Sequence, residues 1–193
     1  MIEPERITRY DRTDYELEEL ACYGILTIAT NATAAAWTTH RLLVEVLRVE
    51  DPPTASVLAA VRAFETRRSR RRLERALQNC GARCFKLKAE GLRQLARADL
   101  NLRTCSRQDL MQVYGIAEKT AELFLLHSRE GHVGACLDTH VRRYAGLGAH
   151  TLNGQAYDAG ARKVLRLAQR MGMTPAEADL AIWKEMRSRR HRA

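Results

Sequence analysis

Leu110-Met-Gln-Val-Tyr-Gly115-Ile-Ala-Glu-Lys119-Thr-Ala-Glu-Leu-Phe-Leu-Leu126 is the stretch that decides how this chain is read. Leu110, Met111 and Val113 mark a short helix, Gly115 a tight turn, and the apolar run from Ala121 a second helix starting near Ala117. Two helices joined this way aim several unsatisfied N–H groups at one point, which makes an anion site. A duplex phosphate fits there without any base being read. Lys119 falls in the first turn of the second helix, where the helix end disfavours a cation by ~0.3–1 kcal/mol. Its ordinary role is a surface lysine reaching into solvent. Its functional role is a lysine whose pKa is lowered by the helix end and nearby arginines, leaving a neutral amine that attacks carbon.

Downstream, His127 begins the connection to Ala135-Cys-Leu-Asp138-Thr-His-Val-Arg-Arg143. Asp138 stands just before a helix start, and its ordinary role is an N-cap. A carboxylate there is pre-oriented and kept ionised by the helix end. It therefore also suits stabilising a cationic sugar or relaying a proton.

The rest of the chain reads as helices. Asp14 is placed to cap the first, through Leu20, Ile25 and Leu26, and a second runs from about Thr33 to Leu47. Asp51-Pro52-Pro53 breaks the pattern, since a residue before proline is pushed out of the helical region. Pro53 to Phe64 reads as a third helix. Thr66 to Arg75 carries Arg67, Arg68, Arg70, Arg71, Arg72 and Arg75, either a solvated face or a phosphate-contacting edge. After Gly81 a helix resumes through Phe85, Leu87, Leu92 and Leu95, and Ser106 caps a short helix from Gln108 to Val113. Ala156 to Met171 has helical spacing, and Thr174-Pro175-Ala-Glu177 pairs an N-cap with proline and an acid in the first turn. No period-2 strand pattern appears.

Composition narrows the partner. The 193 residues hold 32 Lys plus Arg against 23 Asp plus Glu, a net charge of +9. Such an excess attracts polyanions, and arginine, whose fork matches phosphate, far outnumbers lysine. Nucleic acid is the leading partner class. The five cysteines are odd in number and widely spaced, as expected of reduced thiols inside a cell. Cys80 and Cys84, four apart, are spaced to share a helix face, but no second pair completes a metal or iron–sulfur site. No apolar run reaches the ~20 residues of a membrane span, and Met1 to Arg6 lacks a signal-peptide core.

Gly115-Ile-Ala-Glu-Lys119-Thr-Ala121, followed by Leu137-Asp138-Thr-His140-Val-Arg-Arg143, resembles the helix-hairpin-helix and Gly/Pro-loop-Asp signature of a DNA glycosylase superfamily that includes endonuclease III. Phe85-Lys-Leu-Lys88-Ala89 is similar to that superfamily's aromatic-x-x-Lys-Ala helix. The segment from Leu152 to Trp183 is most similar to the short archaeal-type 8-oxoguanine DNA glycosylase/AP lyases and their phage relatives. There are departures: the usual second glycine of the hairpin is Ala117, which cannot take positive φ cheaply, and its proline is Tyr114.

The resemblance implies an all-α fold of two helical lobes with a DNA-binding cleft between them. Residues 20–130 would form one lobe, and 1–19 with 131–193 the other. It implies catalysis by Lys119 and Asp138, and DNA contacts from Gly115, Ala117, Thr120, His140, Arg142, Arg143 and Lys88, with Asn31 filling the vacated base stack. The expected activity is excision of a damaged base, 8-oxoguanine first, through a lysine Schiff base with strand cleavage. The expected partner is damaged double-stranded DNA, met by a monomer in the cytoplasm, at the nucleoid, with no cofactor and no metal. Three alternatives stay open: a glycosylase-fold transferase of phage thymidine hypermodification, a glycosylase without lyase activity, and a non-catalytic helix-hairpin-helix DNA-binding protein.

Overall fold

A computed structural model describes residues 1–49, 55–148, 150 and 152–190, and every described element is helical. In chain order these are α1 (Asp14–Leu26), α2 (Ala32–Arg41) running into a π-helical stretch (Leu42–Leu47), α3 (Val57–Arg62), α4 (Arg67–Asn79), α5 (Phe85–Arg97), α6 (Arg107–Met111), α7 (Glu118–Ser128), α8 (Thr139–Tyr144), α9 (Gly154–Arg170) and α10 (Pro175–Arg190). The Asp51-Pro52-Pro53 break lies outside the described residues, as does Arg192.

Local sequence sets most helix starts. Thr13, not Asp14, caps α1: its hydroxyl accepts from the Glu16 N–H, while the Glu16 carboxylate accepts from the Thr13 N–H. A hydroxyl one residue earlier completes that reciprocal box, and Asp14 becomes the first helical residue. Ser106 with Asp109 and Thr174 with Glu177 repeat the arrangement at α6 and α10. Each cap is worth about 1 kcal/mol. Cys80 ends α4 and Cys84 precedes α5, so the two thiols do not share a helix face.

The chain divides into two compact units, one of residues 1–7 and 11–116, the other of 8–10 and 117–193. This boundary falls inside the hairpin turn, whereas the sequence reading placed it near residue 130. A division at residue 20 would also cut through α1, which is continuous there. In the first unit α5 packs against α1, α3 and α4. Leu20, Ile25, Leu73, Leu77, Leu92 and Leu95 are essentially inaccessible to solvent there. In the second unit α10 packs on α7, α8 and α9, around Leu137, Val141, Tyr157, Val164 and Ile182. No helix among the described residues is long and apolar enough to cross a membrane.

Candidate active site

The hairpin turn is built by close packing. Val113 and Ile116 close successive turns after α6, their N–H groups donating to Leu110 and Val113 carbonyls. Gly115 then takes φ +84°, a conformation costly to any residue with a Cβ. A Cβ there would also lie 3.2 Å from Leu87 on α5 and 3.5 Å from Ile28. Gly91 completes the fit, since a Cβ on it would meet the Tyr114 carbonyl at 2.7 Å.

Ala117 has φ −103° and ψ 179°, so the position of the missing glycine asks for no positive φ. The expected difficulty with alanine does not arise. Ala117 is the N-cap of α7 and offers no side-chain acceptor. In α1, α2, α4, α6 and α8 a side chain accepts from the first turn.

Lys119 is half-buried in the first turn of α7, and the segment leading to Asp138 runs beside it. The Cys136 thiol donates to the Lys119 carbonyl at 3.6 Å. Tyr157 on α9 fixes that segment from the other side: its hydroxyl donates to the Ala135 carbonyl at 2.7 Å and accepts from the Leu137 N–H at 3.2 Å. Buried backbone groups are thereby satisfied without a strand. Farther back, Gly134 admits no side chain, because a Cβ would collide with the Glu122 carboxylate and the His132 ring. Those two bond to each other at 2.8 Å.

Asp138 caps α8, its Oδ1 accepting from the Val141 N–H at 2.8 Å. The helix end favours the charged carboxylate, and burial, the larger influence, disfavours it. Desolvation raises the carboxyl above its ordinary range; the Val141 N–H opposes this, Asp179 adds to it, and His140 and Lys119 oppose it. Lys119 and Asp138 thus lie within each other's fields. Behind them, the fully buried His127 ring bonds Asp179 at 3.2 Å and Thr8 at 2.8 Å. Burial also pushes the Cys136 thiol well up, so it stays a thiol rather than a competing thiolate nucleophile.

The other expected residues divide. Arg143 is exposed on α8, and His140 keeps a buried Nδ1 without a hydrogen-bond partner. Arg142 bonds the His150 carbonyl. Thr120 is buried in α7. Asn31 is exposed and caps α2, accepting from the Ala34 N–H at 2.8 Å. Lys88 departs most from expectation, being wholly buried with its amine donating to Thr30 Oγ1 at 2.8 Å. It presents no surface to DNA, because the α5 face that carries it is the core face. Sequence reasoning missed Tyr157, His127 and Asp179. Nothing marks a polar residue on an apolar helix as facing another until the helices are packed.

The fold has close counterparts among solved structures. The 8-oxoguanine DNA glycosylase of Methanocaldococcus jannaschii superposes with a TM-score of 0.67 at 20% identity, over 90% of this chain and 78% of that one. The 8-oxoguanine DNA glycosylase of Thermotoga maritima gives 0.68 at 19% identity, over 93% and 85%. The chain has their fold. A third counterpart is the M. jannaschii 8-oxoguanine glycosylase/lyase in complex with a 15mer DNA containing 8-oxoguanine, at 0.67 and 19% identity over 90% and 81%. No family model matches the sequence, and no curated protein matches it.

Proposed function

We propose that this chain is a base-excision DNA glycosylase with lyase activity, acting on double-stranded DNA that carries a damaged base, 8-oxoguanine first. The observation that carries the reading is the pair itself. A half-buried lysine at the start of α7 and a half-buried carboxylate capping α8 lie in each other's fields, within a fold shared with 8-oxoguanine DNA glycosylases.

The chemistry follows from the environments. Extruding a nucleotide costs a few kcal/mol, least for a damaged one. The raised pKa makes the Asp138 carboxylate a better base for the Lys119 ammonium than an exposed aspartate would be. The freed amine attacks the anomeric carbon, and the glycosidic bond breaks with its electron pair leaving on the base. The Asp138 carboxyl then passes the proton it took from Lys119 to the departing base, and the regenerated carboxylate offsets the positive charge on the sugar. Loss of the ring oxygen as a hydroxyl yields the protonated Schiff base, and removal of the neighbouring carbon's proton expels the 3′ phosphate. The α7 N-terminus at Ala117, which no side chain caps, suits a backbone phosphate, and Arg143 suits another.

The deciding experiment treats the protein with borohydride on duplexes that each hold one lesion. A covalent adduct on the 8-oxoguanine duplex, absent from undamaged DNA, is expected. Adducts only on oxidised-pyrimidine duplexes would move the substrate. Base release without any adduct would make it a glycosylase lacking lyase activity, and neither release nor adduct on any lesion would overturn the reading.

A further inference from the structure

The active-site reading leaves the most strongly charged element of the molecule unused. Helix α4 carries six arginines and one acid, Glu74, while Leu73 and Leu77 turn into the core. Arg70 bonds Glu74 at 3.1 Å and lies 3.6 Å from Glu90 on α5. That uses the acids within reach. Arg67, Arg68, Arg71, Arg72 and Arg75 are exposed, and none of their side chains makes a hydrogen bond or ion pair among the described residues.

This arrangement is costly in two ways. Arg67 with Arg71, Arg68 with Arg72, and Arg71 with Arg75 are like-charged neighbours one turn apart, which destabilise a helix. Arg67 and Arg68 also occupy the first turn, where the helix end repels cations. Four other helices, α1, α6, α7 and α10, carry an acid in the first turn, which offsets the helix end. On α4 the first turn holds none. A solvated helix face has no need of such a pattern.

We propose that the exposed arginine face of α4 is a docking surface for the phosphate backbone of duplex DNA, independent of base sequence and additional to the hairpin. The proposal rests on the reading of the chain as a DNA-acting protein. Charge complementarity selects the occupant. From Arg67 to Arg75 the helix advances about 12 Å at ~1.5 Å per residue, a length over which a duplex presents roughly seven charges at one per ~1.7 Å. Guanidinium forks bind phosphate oxygens two at a time, which ammonium groups do not.

The test measures binding of an undamaged duplex by the full chain between low and moderate salt, comparing wild type with the triple variant Arg67→Gln, Arg71→Gln, Arg75→Gln. Glutamine keeps helix propensity and the buried leucines are untouched, so melting temperature serves as the folding control. The slope of log K against log salt is expected to fall by about 2 to 3, at ~0.9 for each phosphate no longer neutralised. The corresponding Arg→Lys triple variant keeps the charge and should keep most of the slope. An unchanged slope in the glutamine variant overturns the proposal. So does loss of binding to phosphatidylserine vesicles with duplex binding intact, which would assign the face to a membrane. If the slope falls but wild type releases no base from any lesion, the surface stands and the glycosylase reading fails. If wild type releases base while the slope is unchanged, only the surface fails.

Discussion

Lys88 and Lys119 each sit in a helix of the segment that resembles DNA glycosylases, and the structure treats them oppositely. Lys88 is enclosed by α5 and its neighbours, has one hydrogen bond to Thr30, and is brought by desolvation down to about 8 from an ordinary 10.5. Lys119 is half-buried at a helix start and lies in the field of Asp138. A lowered pKa is often taken as the mark of a nucleophilic lysine. Lys88 carries that mark and is wholly buried, whereas Lys119 is half-buried, beside a carboxylate and at a helix start with no side-chain cap. Access and partner, not acidity alone, distinguish a nucleophile from a structural amine.

A pair of substitutions separates the two lysines with the largest effect. Lys119→Gln should abolish borohydride-trapped adduct and strand cleavage while leaving duplex affinity nearly unchanged. Lys88→Met, which keeps the buried stem, should still form adduct. Adduct retained by Lys119→Gln and lost in Lys88→Met would exchange the two assignments. The next effect is that of Asp138→Asn. Asparagine caps a helix as well as aspartate, but the charge facing the sugar is lost, and base release should fall by ~10²–10³-fold. Stability moves the other way. Because burial raises the Asp138 pKa, the folded state binds more protons than the unfolded one just above pH 3.8, and stability contributed by this group falls as pH rises through its folded value. Asp138→Asn removes that penalty, so at pH 7 it should melt at or above the wild-type temperature. A marked drop in melting temperature would show that the carboxylate is structural.

How far the sequence carried the reading differs between the helices and what lies between them. Most helix starts were legible within a residue or two because Ser106, Thr174 and Asp138 announce themselves locally through their own hydroxyls and carboxylate; α3, read from Pro53 to Phe64, is instead Val57–Arg62, capped by Ser56. The Lys119–Asp138 pairing came from a resemblance across nineteen positions, and no local rule contains it. The clamp of Tyr157 on the backbone of Ala135 and Leu137 was invisible, as was the contact of His127 with Asp179, because each joins groups far apart in the chain. The burial of Lys88 was invisible for a related reason. Its helix places the lysine at the same face as Leu92 and Leu95, and a motif match outweighed that spacing. Ala117 misled in the other direction, since the missing glycine suggested strain that an extended N-cap never imposes.

Gly115 and Ala117 give the next smaller effect. Gly115→Ala should cost about 1–2 kcal/mol or more, from the left-handed backbone alone and then from contact with Leu87 at 3.2 Å. Ala117→Gly should stay within ~0.5 kcal/mol, as an exposed position with negative φ predicts. Equal losses measured by denaturant unfolding would mean that the turn does not hold Gly115 in the left-handed region.

The smallest effect concerns Lys88 and is read from stability against pH. Its folded pKa of about 8 lies below the ordinary 10.5, so between those values the unfolded chain holds more protons than the folded one. Stability from this group therefore rises as pH climbs from about 8 toward 10.5, and below about 8 the buried charge imposes a constant penalty. The slope for one such group cannot exceed ~1.4 kcal/mol per pH unit. Other groups oppose it: the Cys22 and Cys136 thiols, which burial keeps protonated, lose stability for the fold as pH passes their unfolded value of 9.0. Those thiols are the same in both proteins, so the informative quantity is the stability of wild type minus that of Lys88→Met. That difference should grow by on the order of 1 kcal/mol between pH 8 and 9.5. Parallel curves would mean that Lys88 remains charged in the fold across that range. The amine would then need a partner beyond Thr30.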